Sequence, residues 1–563
     1  MIADLPPALV LIVGALVVPL LRGRVRAAYV LLLPVASLAH FLTYPEGASW
    51  QVEVFTYPLT LVRIDALSRV FVIVFHIAAF IACLFSLGIR DPLQFTTSLM
   101  YAGSAIGAVL AGDLITLFVF WELLAVTSVF LIWARRTPRA TAAGTRYLLV
   151  QVASGLALFA GVVLHLQQTG SVAFGELGLD GPATALIFAA FGVKCAFPLL
   201  HNWLTDAYPE ATPTGAVFLS VFTTKVAIYA LARGFPGTEW LIYIGAAMAA
   251  FPIFYAVIEN DLRRVLAYSM INQLGFMVCG IGLGTELALN GTVSHVFNHV
   301  IYKGLLFMTM GAVLHRTGKI NGSELGGLYK SMPVTTGFCI VAAASISAFP
   351  LFSGFVSKSM VMAAALEEGH DWIWLVLLFA SAGVFHHAGI KIPYFAFFAH
   401  DSGIRCQEAP RNMLLAMGLA AALCIFNGCF PFAFLYKLMP YEVGYVPYTS
   451  AHVISQMQLL FFAALAFAWL NLVGLYPPEL RSTNIDSDYV YRRAGPALVR
   501  GIARLGTRLT EELFRPLDRA YRGLLGEVMR HHTPPGLLGE PWSTGAAAMW
   551  AAILLGAYLL LAY

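Results

Sequence analysis

The sequence predicts an all-α polytopic membrane protein, and three observations support this fold class. Of the 563 residues, 59% are hydrophobic and only 11% are charged, a balance far outside the range of soluble globular chains. Apolar runs long enough to cross about 30 Å of hydrocarbon as a helix recur along almost the whole chain. Part of the sequence also repeats itself, which indicates two related halves.

The apolar runs predict about sixteen transmembrane helices. The runs are centred near residues 13, 36, 77, 103, 124, 158, 194, 224, 249, 275, 303, 350, 386, 424, 466 and 554. The first run, from Leu9 to Leu21, lacks the basic leading region and the small-residue cleavage site of a signal peptide. We therefore expect it to be retained as the first span.

The internal repeat is built around a proline. The run from Ala196 to Leu199 reads Ala-Phe-Pro-Leu and returns from Ala348 to Leu351, and both copies lie inside hydrophobic segments. Because proline removes a helical hydrogen bond, Pro198 and Pro350 are expected to break their helices. The second break lies five predicted spans after the first, and this odd number predicts inverted repeats, an arrangement that places ion sites at broken helices in transporters. Chance similarity of short apolar strings is the alternative.

The chain is predicted to have six parts. They are N-terminal transmembrane helices (1–94), a first inverted repeat (95–235), a second inverted repeat (240–410), additional transmembrane helices (411–477), a basic amphipathic segment on the cytoplasmic face (478–545) and a last transmembrane helix (546–563). The amphipathic segment carries an apolar stripe from Ile502 to Leu517 with arginines beside it, and Pro516 and Pro534-Pro535 are expected to divide it. Such a lateral segment lies on anionic lipid or along a partner subunit.

The positions of the cations predict the orientation. Basic residues concentrate in alternate loops, such as Arg22 to Arg26 and Arg135 to Arg146, whereas Thr169 to Pro182 and Gly284 to Asn290 carry none. By the positive-inside rule the basic loops are cytoplasmic and the N-terminus is outside, in a membrane expected to be the bacterial cytoplasmic (inner) membrane. The net charge of +4 therefore reflects topology and does not indicate nucleic-acid binding.

Lysines occur inside the apolar runs, whereas the arginines cluster at their ends. Lys194, Lys225, Lys303 and Lys391 lie near the middle of apolar sequence, and Lys358 follows the second proline break. A cation in hydrocarbon costs at least ~3 kcal/mol, so a lysine there is a functional-site hypothesis by default. Because a desolvated lysine can release its proton, the series predicts a route for protons.

One acid is expected to join the lysines. Glu122 is the only acid well inside an apolar run, and an isolated carboxylate there requires a cationic partner. Lys194, two spans later, is the expected partner, and their pairing would link local charge to proton release. A static structural ion pair is the alternative.

Histidines extend the series. His295, His299 and Lys303 follow one another at intervals of four residues and so share one helix face. Imidazole titrates near neutral pH and can both donate and accept a proton, which suits a relay. His387 and Lys391 have the same spacing and are expected to share a face. Buried core histidines without a transport role are the alternative.

The sequence contains no motif for a cofactor, a metal or catalysis. The seven cysteines are scattered and include no Cys-x-x-Cys pair, which argues against zinc and iron-sulfur sites. Gly280, Gly282 and Gly284 end an apolar helix with no strand before it, so the dinucleotide-loop interpretation fails. No pattern resembles a sodium site of carboxylates and carbonyls, and an exchanged cation could therefore bind in another subunit.

Four ordered motifs within about 240 residues point to a family. They are Trp121-Glu122, the stretch Phe197 to Ala211 around the first break, Asp261 to Ser269, and Ser353 to Lys358. Together they resemble the proton-conducting membrane transporters shared by complex I and the Mrp-type antiporters. The resemblance implies transport roles for Glu122, Lys194, Lys225, His295, His299, Lys303 and Lys358. Lys391 has no role implied by the family and depends on the repeat alone.

Three functions remain open at this point. The run 218–233 is most similar to Mrp-type D subunits, which favours a subunit of a multisubunit monovalent cation (Na⁺)/proton antiporter. A lateral segment before a last helix is similar to the L-type complex I subunit, so a proton-pumping subunit of a complex I-like or hydrogenase redox complex is the first alternative. A membrane energy-coupling partner of an inorganic carbon uptake system is the second. Each implies other membrane subunits and lipid as partners, with no cofactor of the chain's own.

Overall fold

The computed structural model describes residues 5–562, apart from residues 55–56, 483, 535, 537 and 540. The described chain forms two compact units, Met1–Asn484 and Ile485–Tyr563. The first unit holds nearly all the helices, and the second holds the amphipathic segment and the final helix.

The N-terminal part of the first unit combines three helices with a hairpin. The helices are α1 (Pro7–Ala15), α2 (Gly23–Leu42) and α3 (Ala66–Ser86), and the antiparallel hairpin is formed by β1 (Ser49–Val54) and β2 (Tyr57–Arg63). The hairpin was not anticipated from the sequence, because its strands are short and lie between two stronger helical signals.

Fourteen helical elements follow in two successive sets. The first set is α4 (Pro92–Leu110), α5 (Leu114–Trp133), α6 (Pro138–Thr169), α7 (Pro182–Cys195), α8 (Asn202–Ala207), α9 (Gly215–Val221) and α10 (Thr223–Gly234). The second set is α11 (Trp240–Ile258), α12 (Leu262–Leu283), α13 (Glu286–Thr317), α14 (Pro333–Ile346), α15 (Ser353–Glu367), α16 (Asp371–Val384) and α17 (Lys391–Pro393). Two π-helical segments, Phe385–Ile390 and Tyr394–Phe398, flank α17 and continue the same span.

Four more helices complete the chain. They are α18 (Arg411–Cys429) and α19 (Ser450–Leu472) in the first unit, and α20 (Gly495–His532) and α21 (Thr544–Ala562) in the second. In the part of the chain that the structure describes, 13 helical segments are long and apolar enough to cross a membrane, and three shorter apolar ones accompany them. Each of the predicted runs has its counterpart among these segments, so the predicted membrane fold is confirmed.

The two helix sets have matching construction. α6 and α13 each contain 32 residues. Asp113 caps the start of α5 and pairs with Ala173 in an isolated β-bridge, and Asp261 caps α12 and pairs with Asn321 in the same way. Since five crossings lead from α4 to the equivalent α11, the repeats run in opposite directions through the membrane.

The amphipathic segment differs from its prediction in one respect. α20 continues through Pro516 without interruption, so the expectation that this proline divides the segment is wrong. A proline inside a helix removes one hydrogen bond, and along an exposed helix the freed carbonyl can be hydrated. The helix ends at His532, before Pro534, while Pro535 lies outside the described residues.

An ion pair joins the start of α3 to the end of α10, the helix that carries Lys225. Asp65 caps α3 by accepting a hydrogen bond from the backbone N–H of Ser68 at 2.9 Å. Arg233 donates to both carboxylate oxygens of Asp65, at 2.8 and 2.7 Å. Burial acts to raise the pKa of Asp65, but the Arg233 and Arg63 guanidinium groups and the hydrogen bond from Ser68 together hold that pKa below its ordinary value.

We predict that Asp65→Asn lowers the free energy of unfolding by about 1 kcal/mol at neutral pH, a modest effect because the carboxylate is partly exposed. Asparagine keeps the helix cap, so the variant isolates the ion pair. A carboxylate whose pKa is depressed by folding contributes stability above its unfolded pKa of about 4, and this contribution disappears as the pH falls. Thermal unfolding in detergent should therefore show a difference at pH 7 that shrinks towards pH 3. An equal loss at both pH values would assign the effect to something other than charge.

Candidate functional site

Both predicted helix breaks are present and share one backbone geometry. Ala196 and Leu199, after α7, have φ angles of +64° and +70°. Ala348 and Leu351, after α14, have φ angles of +57° and +74°. Positive φ is unfavourable for residues other than glycine and persists where the surroundings enforce it, commonly at functional sites. The two copies of the Ala-Phe-Pro-Leu sequence therefore also share the same backbone conformation.

Each break leaves the carbonyl end of a half-helix within the membrane region, and such an end favours a cation. Lys194 lies in the last turn of α7. Lys358 belongs to α15, and its Nζ donates to the carbonyl of Ile346 at the end of α14, at 3.4 Å. A lysine therefore lies close to each break in the sequence, before it in the first set of helices and after it in the second, and Lys358 donates to the carbonyl end of the half-helix.

Lys194 is fully buried against a tryptophan. Its Nζ donates to the carbonyl of Trp121 on α5 at 2.5 Å and lies 4.4 Å from the centre of the indole ring. The indole N–H donates to Ser154 on α6 at 3.1 Å, and the Ser154 hydroxyl donates to the carbonyl of Ala190 on α7 at 2.8 Å. Trp121 thus joins three helices around the ammonium and stabilises it through a cation–π contact.

Glu122 is half-buried on α5, next to this tryptophan. Its carboxylate and the Lys194 ammonium interact electrostatically, but within the described residues no direct ion pair joins them. Gly155 on α6 provides the space for the carboxylate, because a Cβ there would lie 1.5 Å from Oε1. The expected partners are therefore near each other but not locked together.

Lys225 lies beyond a second irregularity, the interruption between α9 and α10 at Phe222. Its Nζ donates to the carbonyl of Ser220 at 2.7 Å and to the Thr224 hydroxyl at 3.2 Å, with the sulfur of Met270 at 3.4 Å. No carboxylate contacts this ammonium among the residues that the structure describes. The interrupted helix thus supplies the oxygen atoms that a buried cation needs.

His295 on α13 connects two neighbouring helices. Its Nδ1 lies 3.1 Å from the hydroxyl of Ser357, the residue before Lys358. Its Nε2 lies 3.4 Å from the hydroxyl of Tyr302, which donates to Gln273 on α12 at 3.0 Å. A chain of exchangeable groups therefore leads from α12 to the second helix break.

His299 and Lys303 continue along α13 with the predicted spacing. The ring centres of His295 and His299 are 6.2 Å apart. Both His299 and Lys303 are fully buried, and in the described chain neither the imidazole nitrogens nor Nζ has a hydrogen-bond partner. Buried polar groups of this kind are the ones that internal water bridges.

A cavity of about 240 Å³ adjoins Lys358. Its wall includes Ser359, Trp374 on α16, and His452 and Gln456 on α19. Since α15 ends, and α16 and α19 begin, on the side opposite the basic loops, the cavity lies between Lys358 and that face.

His387 and Lys391 lie on a helix of a different type from the one predicted. Residues Phe385–Ile390 form a π-helix, in which hydrogen bonds join residues five apart. The wider turn still brings residues four apart to similar directions, so the shared face remains a prediction. His387 is nevertheless buried and interacts electrostatically with both Lys303 and Lys391.

The partner of Lys391 could not be anticipated from the sequence. Its Nζ lies 2.8 Å from Oε1 of Glu479 and donates to the carbonyls of Val257 and Glu259, each at 2.7 Å. Glu479 follows α19 in the segment Tyr-Pro-Pro-Glu, outside any apolar run. Burial raises the pKa of the Glu479 carboxyl, while the Lys391 ammonium acts in the opposite direction. Glu479 also lines a cavity of about 330 Å³ on the side of the basic loops.

The protonatable groups form a connected electrostatic row with acids at its ends. Cys195, next to Lys194, interacts with Lys225, and Lys303 interacts with His387. The remaining neighbouring pairs are Lys225 with His299, Lys225 with Lys303, and His295 with Lys358. Glu122 lies at one end and Glu479 at the other. Because like charges repel and burial disfavours each of them, simultaneous protonation of all the groups between is unfavourable.

Residues 111–386 match the family described as NADH:quinone oxidoreductase/Mrp antiporter, transmembrane. The chain is 32% identical over 390 residues to the A-type component of the Na(+)/H(+) antiporter of Alkalihalophilus pseudofirmus, a match that covers 61% of this chain and 48% of that protein. It is also 32% identical over 397 residues to the N-type component of the NADH-quinone oxidoreductase of Desulforudis audaxviator, covering 65% of this chain and 79% of that protein. The chain thus spans about half the length of the antiporter relative and most of the length of the oxidoreductase relative.

Two solved structures share the fold. A chain of the membrane-bound sulfane sulfur reductase, an archaeal respiratory membrane complex, superposes with a TM-score of 0.71 at 22% identity, covering 99% of both chains. A chain of the Mrp complex from a Dietzia species superposes with a TM-score of 0.66 at 21% identity, covering 84% of this chain and 99% of its own. The match to the sulfane sulfur reductase chain therefore extends through the C-terminal segment of this protein.

If protons move through Glu122 as the sequence predicts, Gly155→Ala should slow that movement roughly ten- to hundredfold, because the added methyl group must displace the carboxylate. Gly337→Ala on α14 is the matched control, since a Cβ there meets nothing within 4 Å. The double variant Gly155→Ala/Glu122→Asp should recover part of the rate because aspartate is shorter. Collapse of a pH gradient in inverted membrane vesicles measures all three, and a normal rate in Gly155→Ala would show that the carboxylate position is unimportant.

Proposed function

Because the chain belongs to the NADH:quinone oxidoreductase/Mrp antiporter transmembrane family, we propose that it is the proton-conducting subunit of a multisubunit monovalent cation/proton antiporter. The observation that supports this most is the row of buried lysines and histidines in which, among the described residues, carboxylates lie only towards the two ends. Partner subunits of the complex would complete the exchange, and Na⁺ is the cation that the antiporter relatives suggest. The role deduced for each residue below is part of this proposal.

Glu122 and Lys194 form the proposed switch. The Lys194 ammonium rests on the carbonyl and ring of Trp121, with the Glu122 charge nearby. A proton that neutralises Glu122 removes this support, so Lys194 then releases its proton more readily towards Lys225. Loose pairing suits this role, since a tightly bonded pair would hold its proton in place.

The row continues from Lys225 through His299 and Lys303. His295 leads on to Lys358 and the cavity that contains His452, whereas His387 leads to Lys391 and the cavity lined by Glu479. The two cavities lie on opposite sides of the molecule's membrane region. We infer that they are the two ends of the route, with internal water joining the groups that lack protein partners.

We further propose that the basic loops face the cytoplasm and that the N-terminus lies outside, in a bacterial cytoplasmic (inner) membrane. The support is the positive-inside pattern of the sequence. Loops 259–261 and 473–484 would then be cytoplasmic, which places Glu479 at the cytoplasmic end of the route.

A proton-pumping subunit of a redox complex is the second candidate. The length of the structural match favours this candidate. The sulfane sulfur reductase chain matches 99% of this protein, including its C-terminal segment, whereas the Mrp chain matches 84% of it. In that case the same row would be driven by electron transfer in other subunits.

Affinity purification of the tagged protein from its own membranes, with mass spectrometry of the copurifying subunits, separates the two candidates. Small hydrophobic partners without redox centres, together with loss of Na⁺ resistance on deletion, support the antiporter. Iron-sulfur, flavin or nickel subunits would reject it in favour of the redox pump.

We predict that Glu122→Ala and Lys194→Ala each abolish proton transport while the complex still assembles. Each change removes a protonatable group from the proposed switch and leaves the helix packing around Trp121 largely in place. Transport is measured in inverted vesicles, and assembly by copurification of the partner subunits. Glu367→Ala and Lys319→Ala, which alter exposed residues, serve as controls. Wild-type transport in either test variant would rule out the switch.

A further inference from the structure

The Lys391 ammonium occupies a cage of three oxygen atoms. The carbonyls of Val257 and Glu259 lie 2.7 Å from Nζ, and Oε1 of Glu479 lies 2.8 Å from it. The side chain of Lys391 is fully buried, and that of Glu479 is 5% exposed. A carboxylate and two carbonyls are the hard oxygen ligands that alkali cations prefer, so the ammonium takes the position of a tethered cation.

The cage is built by an irregular part of the fold. Both carbonyls lie at the C-terminal end of α11, where helical partners are missing and the helix dipole is negative. Lys391 approaches them from a span that is π-helical on both sides of it. Half-helix ends and unwound carbonyls are the features that coordinate Na⁺ or H⁺ in secondary transporters.

The cage also has a connection to water. Glu479 lines the cavity of about 330 Å³ together with Ser323, His400 and Asn471. Its second oxygen, Oε2, is buried and has no hydrogen-bond partner within the described ranges of the chain. A deeply buried carboxylate oxygen therefore remains free to bind a ligand that arrives through this cavity.

The charge of Lys391 indicates a monovalent ligand. Its ammonium supplies one positive charge to the Glu479 carboxylate. Beside the cage, Arg264 lies 3.6 Å from Glu259 through its Nη1 and also interacts with Asp261. When Lys391 becomes neutral, one positive charge is lost from the cage, and a monovalent cation replaces it charge for charge.

We propose that this cage binds an alkali metal cation, Na⁺ or a close relative, in exchange for the proton of Lys391. The ammonium releases one proton, the neutral amine withdraws from the cage, and the cation takes its place on the two carbonyls and Glu479. The charge of the cage is the same before and after. The inference rests on the proposed function in one respect, since the released proton travels along the row through His387.

Several other titratable groups surround the cage. His386 and His387 face it from its own span, Glu259 and its partner Arg264 lie at the end of α11, and Tyr476 and His400 line the same cavity as Glu479. Raising the pH favours release of the Lys391 proton and therefore cation binding, whereas low pH favours the ammonium. The site therefore couples proton loss to cation gain.

The test is equilibrium binding of ²²Na⁺ to the purified full-length protein, in its complex, between pH 6 and pH 9. Wild-type binding should increase with pH and release one proton per Na⁺. Lys391→Gln should bind Na⁺ at every pH, because its tethered cation is gone. Glu479→Gln should bind at least about tenfold more weakly, because it loses the charged ligand. Lys319→Gln and Glu367→Gln, at exposed positions, should behave like wild type.

Size-exclusion elution identifies any variant that fails to fold, and Lys391→Gln keeps the proposal testable if Glu479→Gln is one of them. Absence of Na⁺ binding in both the wild type and Lys391→Gln would overturn the proposal, as would unchanged binding in a folded Glu479→Gln protein. The proposed function is tested separately: Glu122→Ala should abolish proton transport but leave Na⁺ binding unchanged. Na⁺ binding without antiport would reject the antiporter and retain the site.

Discussion

A buried positive charge without an adjacent carboxylate is the constraint on which the rest of this structure depends. Lys225, Lys303 and Lys358 lie inside the helix bundle, and in the described structure no acid forms an ion pair with them. Fully charged, such groups would be too costly to bury together, since each suffers desolvation and the repulsion of its neighbours. We therefore propose that some members of the row are neutral, and that a neutral amine beside an ammonium allows a proton to move.

The irregular helices follow from the same constraint. Within a regular helix the carbonyls already accept hydrogen bonds from the helix itself. The break after α14, the interruption between α9 and α10 and the end of α11 each release carbonyls, and Lys358, Lys225 and Lys391 donate to carbonyls at these three points. Lys194 lies just before the break after α7 but donates to the carbonyl of Trp121 within α5. The strained backbone at Ala196 and Ala348 is thus associated with the placement of charge. Because the set of helices is repeated in inverted form, the protein has two such breaks, one for each half of the row.

Much of the fold and part of the site could be predicted from the sequence. Hydropathy located the spans, and lysines inside apolar runs are visible because they violate the same hydropathy rule. Spacing rules located His295, His299 and Lys303 on one regular α-helix, whereas the π-helical segment around His387 and Lys391 could not be predicted from the spacing. Glu479 could not be recognised as a site residue, because an acid is ordinary in a polar, proline-rich segment and does not stand out as a charge inside an apolar run does. The oxygen cage around Lys391 was also invisible, because two of its three ligands are backbone atoms.

The most direct test of proton movement through these lysines is to observe their protonation. With only eight lysines in the chain, ¹⁵N-lysine labelling permits the Nζ resonances to be assigned by single Lys→Arg variants. The expectation is that at least one of Lys225, Lys303 and Lys358 is a neutral amine near pH 7, and that Glu122→Gln alters the protonation of Lys194. If all of these lysines stay fully protonated from pH 6 to pH 9, the row is a static set of cations and protons do not pass along it.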